Sequence, residues 1–166
     1  MNILVANIGS TSFKYRLLNS ATNTAVTQGR IERIGQTGGD CPDYATAIAR
    51  CTADIAGHDL AAVGFKAVHA GPVSGAQLVD ERVLEAMEEF AFFAPAHNPP
   101  YVAAMRSFRA AMPDLPLVAL FETAFFQELE ESTVTYAVPW EWKTELGIQR
   151  YGFHGASHRA ASEKAV

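Results

Sequence analysis

The chain opens on an apolar run, "MNILVA", and then turns polar at "NIGSTSFKY", residues 7–15. Asn7, Ser10, Thr11, Ser12 and Lys14 carry side-chain donors, and Gly9 lets the backbone come close to a neighbour. Phosphate oxygens ask for several donors and positive potential in one place. Two readings stand for this stretch: a hairpin with a polar tip, and a phosphate cradle. Four further stretches put polar groups at the ends of apolar runs: "KAVHAG", "APAHNPP", "LFETAFF" and "RYGFHGASH". Loops at such ends are where sites are usually placed.

Each stretch offers a chemistry and a plainer alternative. Lys66 interrupts an apolar strand, so its ammonium either reaches out at an edge or meets an anion. His97 has prolines on both sides, and an imidazole held in place can donate to a transferring phosphoryl oxygen; the alternative is a residue of the loop ahead of a helix. Glu122 follows "PLVALF", and a carboxylate at the end of a buried strand is costly unless paired or metal-bound. His154 lies between Gly152 and Gly155, which leaves room for a ligand. His154 and His158 are four apart, as in helical zinc pairs, but no HExxH and no third ligand accompany them. His69 reads as a buried structural histidine and His58 as a solvated one.

These residues need elements to hold them. Residues 2–8 read as a buried strand, and 12–18 alternate Ser12, Lys14 and Arg16 against Phe13, Tyr15 and Leu17. Residues 25–34 suggest a third strand with Gly29 as a bulge. A helix is predicted over 43–56, a strand over 61–71 and a helix over 80–93 capped by Asp80. A further helix is predicted over 101–111, and strands over 116–122 and 133–138. The closing "ASHRAASEKAV" reads as a helix capped by Ser157 with no stop signal, as if the chain led on into a second domain. Strands alternating with helices give a layered α/β domain, and the opening meander argues against a dinucleotide fold, which would start strand–helix. Neither GxGxxG nor GxxxxGK[ST] opens a helix.

Composition narrows the function classes. The 166 residues suffice for one domain with a proper core. A net charge of −5 with no basic block argues against nucleic acid as a partner. The apolar start is too short for a signal peptide or a membrane span. Cys41 and Cys51 match no zinc or redox spacing and read as reduced thiols of a cytoplasmic protein.

Taken together, the five stretches resemble the acetate kinase family of the actin-like ATPase superfamily, in order and along essentially the whole chain. "NIGSTSFKY" is similar to the family's NAGSSSxKY, "KAVHAG" to the end of HRVVHGG, "APAHNPP" to APLHNPxN, and "VALFETAFFQ" to VAVFDTAFHQ. "RYGFHGASHRAASEKA" nearly reproduces RYGFHGTSHxYVxxxA. The resemblance implies an actin-like, ribonuclease H-like α/β domain, with a mixed sheet that opens as an antiparallel three-strand meander and is flanked by helices. It implies an N-terminal domain at 1–150, with 151–166 leading to a second domain, and a homodimer when full length. The implied reaction is transfer of phosphate from ATP to a short-chain carboxylate, with Mg²⁺. By resemblance, Asn7, Ser10, Ser12 and Lys14 face the phosphates, and Asn7 and Glu122 face the metal. His97 and His154 meet the transferring phosphoryl group, Lys66 holds the substrate carboxylate, and Val68, Ala96 and Phe153 line the acyl pocket.

The departures bear on activity. Lys66 stands where the family has arginine, keeping the charge without the bidentate fork. Glu122 stands for an aspartate, and Phe126 for the histidine of TAFHQ. Ala96 replaces a leucine, which predicts tolerance of propionate or butyrate, since pocket discrimination is only about 1–3 kcal/mol per methylene. A divergent, non-catalytic homologue that binds a phosphate compound or a protein is the alternative reading.

Overall fold

The alternation at the front of the chain becomes a meander. In the computed structural model, which describes residues 1–165, β1 (Asn2–Ile8), β2 (Phe13–Asn19) and β3 (Thr24–Ile31) pair antiparallel in sequence. Asn7 lies opposite Lys14 and Ile8 opposite Phe13. Gly29 is not a bulge: it pairs in regular register with Tyr15, whose ring occupies the space a Cβ would need. The irregularity falls at Val26, between Thr27 and Ala25, the partners of Leu17 and Leu18.

Helix α1 (Tyr44–Asp54) is capped by Asp43, whose carboxylate accepts from the Thr46 N–H at 2.7 Å. The chain then enters β4 (Leu60–Ala67), parallel to β1. A three-residue edge strand, β5 (Ala76–Leu78), precedes α2 (Glu81–Glu89), and Asp80 caps α2 as its sequence predicts. The helix stops at Glu89 rather than running to 93: Phe90–Phe92 tighten into a 3₁₀ turn, with the Phe90 ring packed on His69. Helix α3 (Asn98–Ala111) starts three residues earlier than periodicity suggests. Pro99 and Pro100 fall in its first turn, where backbone N–H groups have no helical partner to lose. Strand β6 (Leu117–Phe121) completes a sheet of order β3-β2-β1-β4-β6-β5. Its three adjacent strands β1, β4 and β6 run parallel, and the flanking strands antiparallel.

The strand predicted over 133–138 is absent. Residues Glu131–Val134 form a short helix, α4, whose local bonds include the Thr135 N–H to the Glu131 carbonyl. The sheet ends at β5, and residues 133–138 do not pair with it. Helix α5 (Trp140–Leu146) follows, and α6 (Gly155–Ala165) ends the described chain. Ser157 does not cap α6. It lies in the first turn, and its N–H donates to the His154 carbonyl.

One face of the sheet, carrying Leu4, Ala6, Phe13, Phe65 and Phe121, is buried under α1, α2 and α3. The other face leaves Val5, Lys14, Arg16 and Leu120 exposed. Both cysteines are buried and unpaired with each other. Among the described residues no helix is long and apolar enough to cross a membrane.

Candidate active site

Parallel strands carry their C-terminal ends to one edge of the sheet, and there the polar stretches converge. β1 ends at Ile8, β4 at Ala67 and β6 at Phe121. A cleft of about 460 Å³ opens there, lined by Asn7, Ile8, Gly9, Lys66, Val68, His97, Tyr101, Glu122, Phe153 and His154. Ligands of open α/β sheets sit at such strand ends.

The opening turn is held from beneath. The Gly9 N–H donates to the Ser12 carbonyl at 2.7 Å, and the Tyr44 hydroxyl donates to the Gly9 carbonyl. A Cβ on Gly9 would stand 2.6 Å from Ser12 Oγ, so a larger residue there would make the Ser12 hydroxyl turn away. Tyr101, 2% exposed, sends its hydroxyl to the same turn. Its oxygen accepts from the Ile8 N–H at 3.2 Å and lies 3.3 Å from Asn7 Oδ1. Burial pushes this phenol up to about 12, so it stays a proton donor.

Glu122 is buried at the far wall. Its N–H donates to the Ala67 carbonyl at 2.8 Å, and its carbonyl accepts from the Gly155 N–H at 2.9 Å. Lys66 Nζ lies 2.6 Å from Glu122 Oε1, and His154 Nδ1 lies 3.5 Å from the same oxygen. His154 has φ +59°, a left-handed conformation costly for a non-glycine residue and concentrated at ligand sites. The neighbouring glycines do not make room for a ligand. A Cβ on Gly155 would stand 2.4 Å from the Glu122 carbonyl oxygen, and one on Gly152 would stand 2.2 Å from the Phe126 ring. They let the 152–155 turn press onto the end of β6.

Of the residues the sequence singles out, Asn7, Lys66, Val68, His97, Glu122, Phe153 and His154 line this cleft. Ser10 and Ser12 lie in the adjoining turn but not on the cleft wall. Lys14 shares a second groove with Asn7, of about 580 Å³, on the bare face of the sheet beside Arg16 and Arg30. Ala96 is exposed and does not line the cleft, although His97 beside it does. Tyr101 was read from the sequence only as a residue of a helix. The signal that could have found it is that a buried tyrosine needs a hydrogen-bond partner. His69 is buried as expected but not satisfied. Its Nδ1 has no partner, and its ring sits among Phe90, Phe93, Tyr151 and Phe153, where burial lowers its pKa.

The donor set suits a magnesium that keeps water and phosphate ligands. One buried carboxylate faces the cleft, and among the described residues no cluster of three His, Cys, Asp or Glu could form an all-protein cage.

Comparison with known proteins bears on the family and the fold. Residues 38–166 match the model of the acetokinase family. The acetate kinase of Clostridium beijerinckii is 37% identical over 96% of this chain, and that of Geobacter sulfurreducens 35% identical over 100% of this chain. Among solved structures, a propionate kinase from Francisella tularensis superposes with a TM-score of 0.89 at 29% identity. The acetate kinase of Porphyromonas gingivalis superposes with a TM-score of 0.86 at 30% identity, each over 99% of this chain. These neighbours place the fold among actin-like ATPases. The chain spans about half the length of its relatives, between 46% and 48% of those named.

Proposed function

The chain belongs to the acetokinase family, and we propose that it is the N-terminal half of an ATP-dependent kinase that converts a short-chain carboxylate to its acyl phosphate. Residues 1–150 would form the domain itself and 151–166 the lead into a second, nucleotide-holding domain. The observation that carries this reading is the convergence of Lys66, His97, Glu122 and His154 with the Asn7 turn on one cleft.

Phosphoryl transfer needs little covalent help, so positioning and charge neutralisation do most of the catalysis. Lys66 would hold the substrate carboxylate, with Val68 and Phe153 against its alkyl end. His97 and His154, which both line the cleft, would donate to the oxygens of the transferring group. Asn7, Ser10, Ser12 and Lys14 would receive the phosphates of ATP. Glu122 would hold Mg²⁺, which supplies neutralisation of the phosphate oxygens. The absence of Ala96 from the cleft wall leaves Val68 and Phe153 to set acyl-chain length. Tolerance of propionate or butyrate then rests on them, and the likeness to a propionate kinase supports it.

A hydroxamate assay on the complete gene product tests the proposal, with ATP, Mg²⁺ and acetate, propionate or butyrate in parallel. Acyl hydroxamate from at least one acid is expected. Folded, ATP-binding protein that gives none with any of the three would overturn it. One observation favours a second reading, a non-catalytic binder: the ammonium of Lys66 is already engaged by Glu122 at 2.6 Å, so a substrate carboxylate must compete for it.

A further inference from the structure

Asn7 reaches the cleft from the end of β1, and what it offers a ligand depends on which way its carboxamide is turned. A carboxamide can present an acceptor oxygen or an NH₂ donor. Heavy-atom positions alone do not separate the two, and the surrounding hydrogen bonds decide. Here the deciding group is Tyr101. Its hydroxyl has one proton, and one side of the oxygen already accepts from the Ile8 N–H at 3.2 Å. The residue is 2% exposed, and among the described residues its hydroxyl makes no hydrogen bond beyond Ile8 and Asn7. The remaining partner is Asn7 Oδ1 at 3.3 Å. The oxygen of Asn7 is therefore drawn toward the protein, and Nδ2 is left facing outward. Asn7 itself is exposed, lining both the cleft and the groove that holds Lys14.

Tyr101 is also a departure from the family pattern. In APLHNPxN the last position is asparagine, whereas this chain reads "APAHNPPY". The phenol is longer than the carboxamide it replaces, and it spans from α3 to the end of β1.

We propose that Tyr101 is a positioning residue that locks the Asn7 carboxamide with its NH₂ toward the cleft, so that Asn7 meets the ligand as a donor to a phosphoryl oxygen rather than as an oxygen ligand to the metal. This deepens the kinase reading and rests on it for the identity of the ligand. The same hydroxyl, by holding the Ile8 N–H, fixes the start of the turn whose far side Tyr44 holds at Gly9.

Four proteins test it: the complete gene product, its Tyr101→Phe and Asn7→Ala variants, and the double variant, with Asn7→Asp as a fifth. Tyr101→Phe keeps the ring and removes only the hydroxyl, and thermal melts check that each variant folds. The expected result is a fall in kcat/KM for ATP of about tenfold for Tyr101→Phe, with KM for the carboxylate unchanged. In the Asn7→Ala background the same change should do little further, because the group it orients is gone. Asn7→Asp keeps the acceptor oxygen, adds a second in place of the NH₂ and so loses both donors, and it should be at least as damaging as Asn7→Ala. Additive losses would overturn the proposal, because they would mean that Tyr101 acts only on the backbone. So would an Asn7→Asp variant that keeps parental kcat/KM, because it would mean that Asn7 works through oxygen. If the parent protein makes no acyl phosphate, the kinase reading fails. The same five proteins are then compared for ATP affinity by calorimetry, where the same pattern supports the inference and additivity overturns it.

Discussion

Replacing Lys66 by methionine should cost stability through the carboxylate it abandons. Lys66 Nζ and Glu122 Oε1 are 2.6 Å apart, with side chains 46% and 7% exposed. At an effective dielectric of about 20 the gross attraction is about 6 kcal/mol. Most of that is offset by desolvating Glu122 and by ordering a half-exposed lysine. Exposed pairs are worth about 0–1 kcal/mol, while breaking a buried pair costs about 3–5 kcal/mol. With one end buried and the other half in water, about 2 kcal/mol is expected. For a domain of this size that is a fall in Tm of about 4–8 °C. Methionine keeps the length and apolar stem of lysine, so lost packing contributes little. The loss has a signature. If it comes from a stranded buried charge, adding Glu122→Gln to Lys66→Met should return at least half of it, since a neutral amide is less costly to bury. Thermal melts at neutral pH, at low and high salt, read both effects. A Lys66→Met protein that melts with the parent, or a double variant no more stable than the single one, would refute the reasoning. Either result would mean that His154, 3.5 Å from the same oxygen, or solvent already satisfies Glu122.

Two further outcomes follow from the same region. Burial holds the pKa of His69 below the ordinary imidazole value of 6.5. As pH falls below 6.5 the unfolded chain takes up a proton that the folded chain resists. Stability from this group is therefore fully present above 6.5 and declines beneath it, down to the folded pKa. The urea midpoint should drop over that range, and His69→Phe, which keeps the aromatic contacts, should flatten the slope. Gly155→Ala places a methyl 2.4 Å from the Glu122 carbonyl oxygen. The 152–155 turn must then shift, with a stability loss of about 1–3 kcal/mol. Hydroxamate formation should fall by at least about tenfold, because Glu122 and His154 move together; parental turnover would show that their spacing is not critical.

Elements whose signals are local were legible in the sequence. The meander came from alternation, α2 from its period and from Asp80, and β6 from its apolar run. What was missed depended on context. Strand β5 is three residues long and exists because β6 offers it an edge. Residues 133–138 have strand-forming side chains but pair with no strand of the sheet, and local bonds to the Glu130 and Glu131 carbonyls hold this stretch instead. The start of α3 was misplaced because two prolines look like a break, yet they are harmless in a first turn.

The site divides along the same line. Residue types at loop ends nominated Asn7, Lys66, His97, Glu122 and His154, the family resemblance added Val68 and Phe153, and all seven line the cleft. No local signal relates Lys66 to Glu122, which are far apart in sequence. They meet because β4 and β6 pair in parallel with Lys66 opposite Leu120, two residues short of Glu122. Tyr101 is more deeply hidden, since an aromatic side chain early in an amphipathic helix reads as core, and its ring is core. Only the position of its hydroxyl, against the end of a strand more than ninety residues earlier, turns it into a part of the site. Charge and donor type are written in single residues and can be read from them. The direction in which a donor points is written in pairs, and the pairs exist only once the sheet has brought its strand ends together.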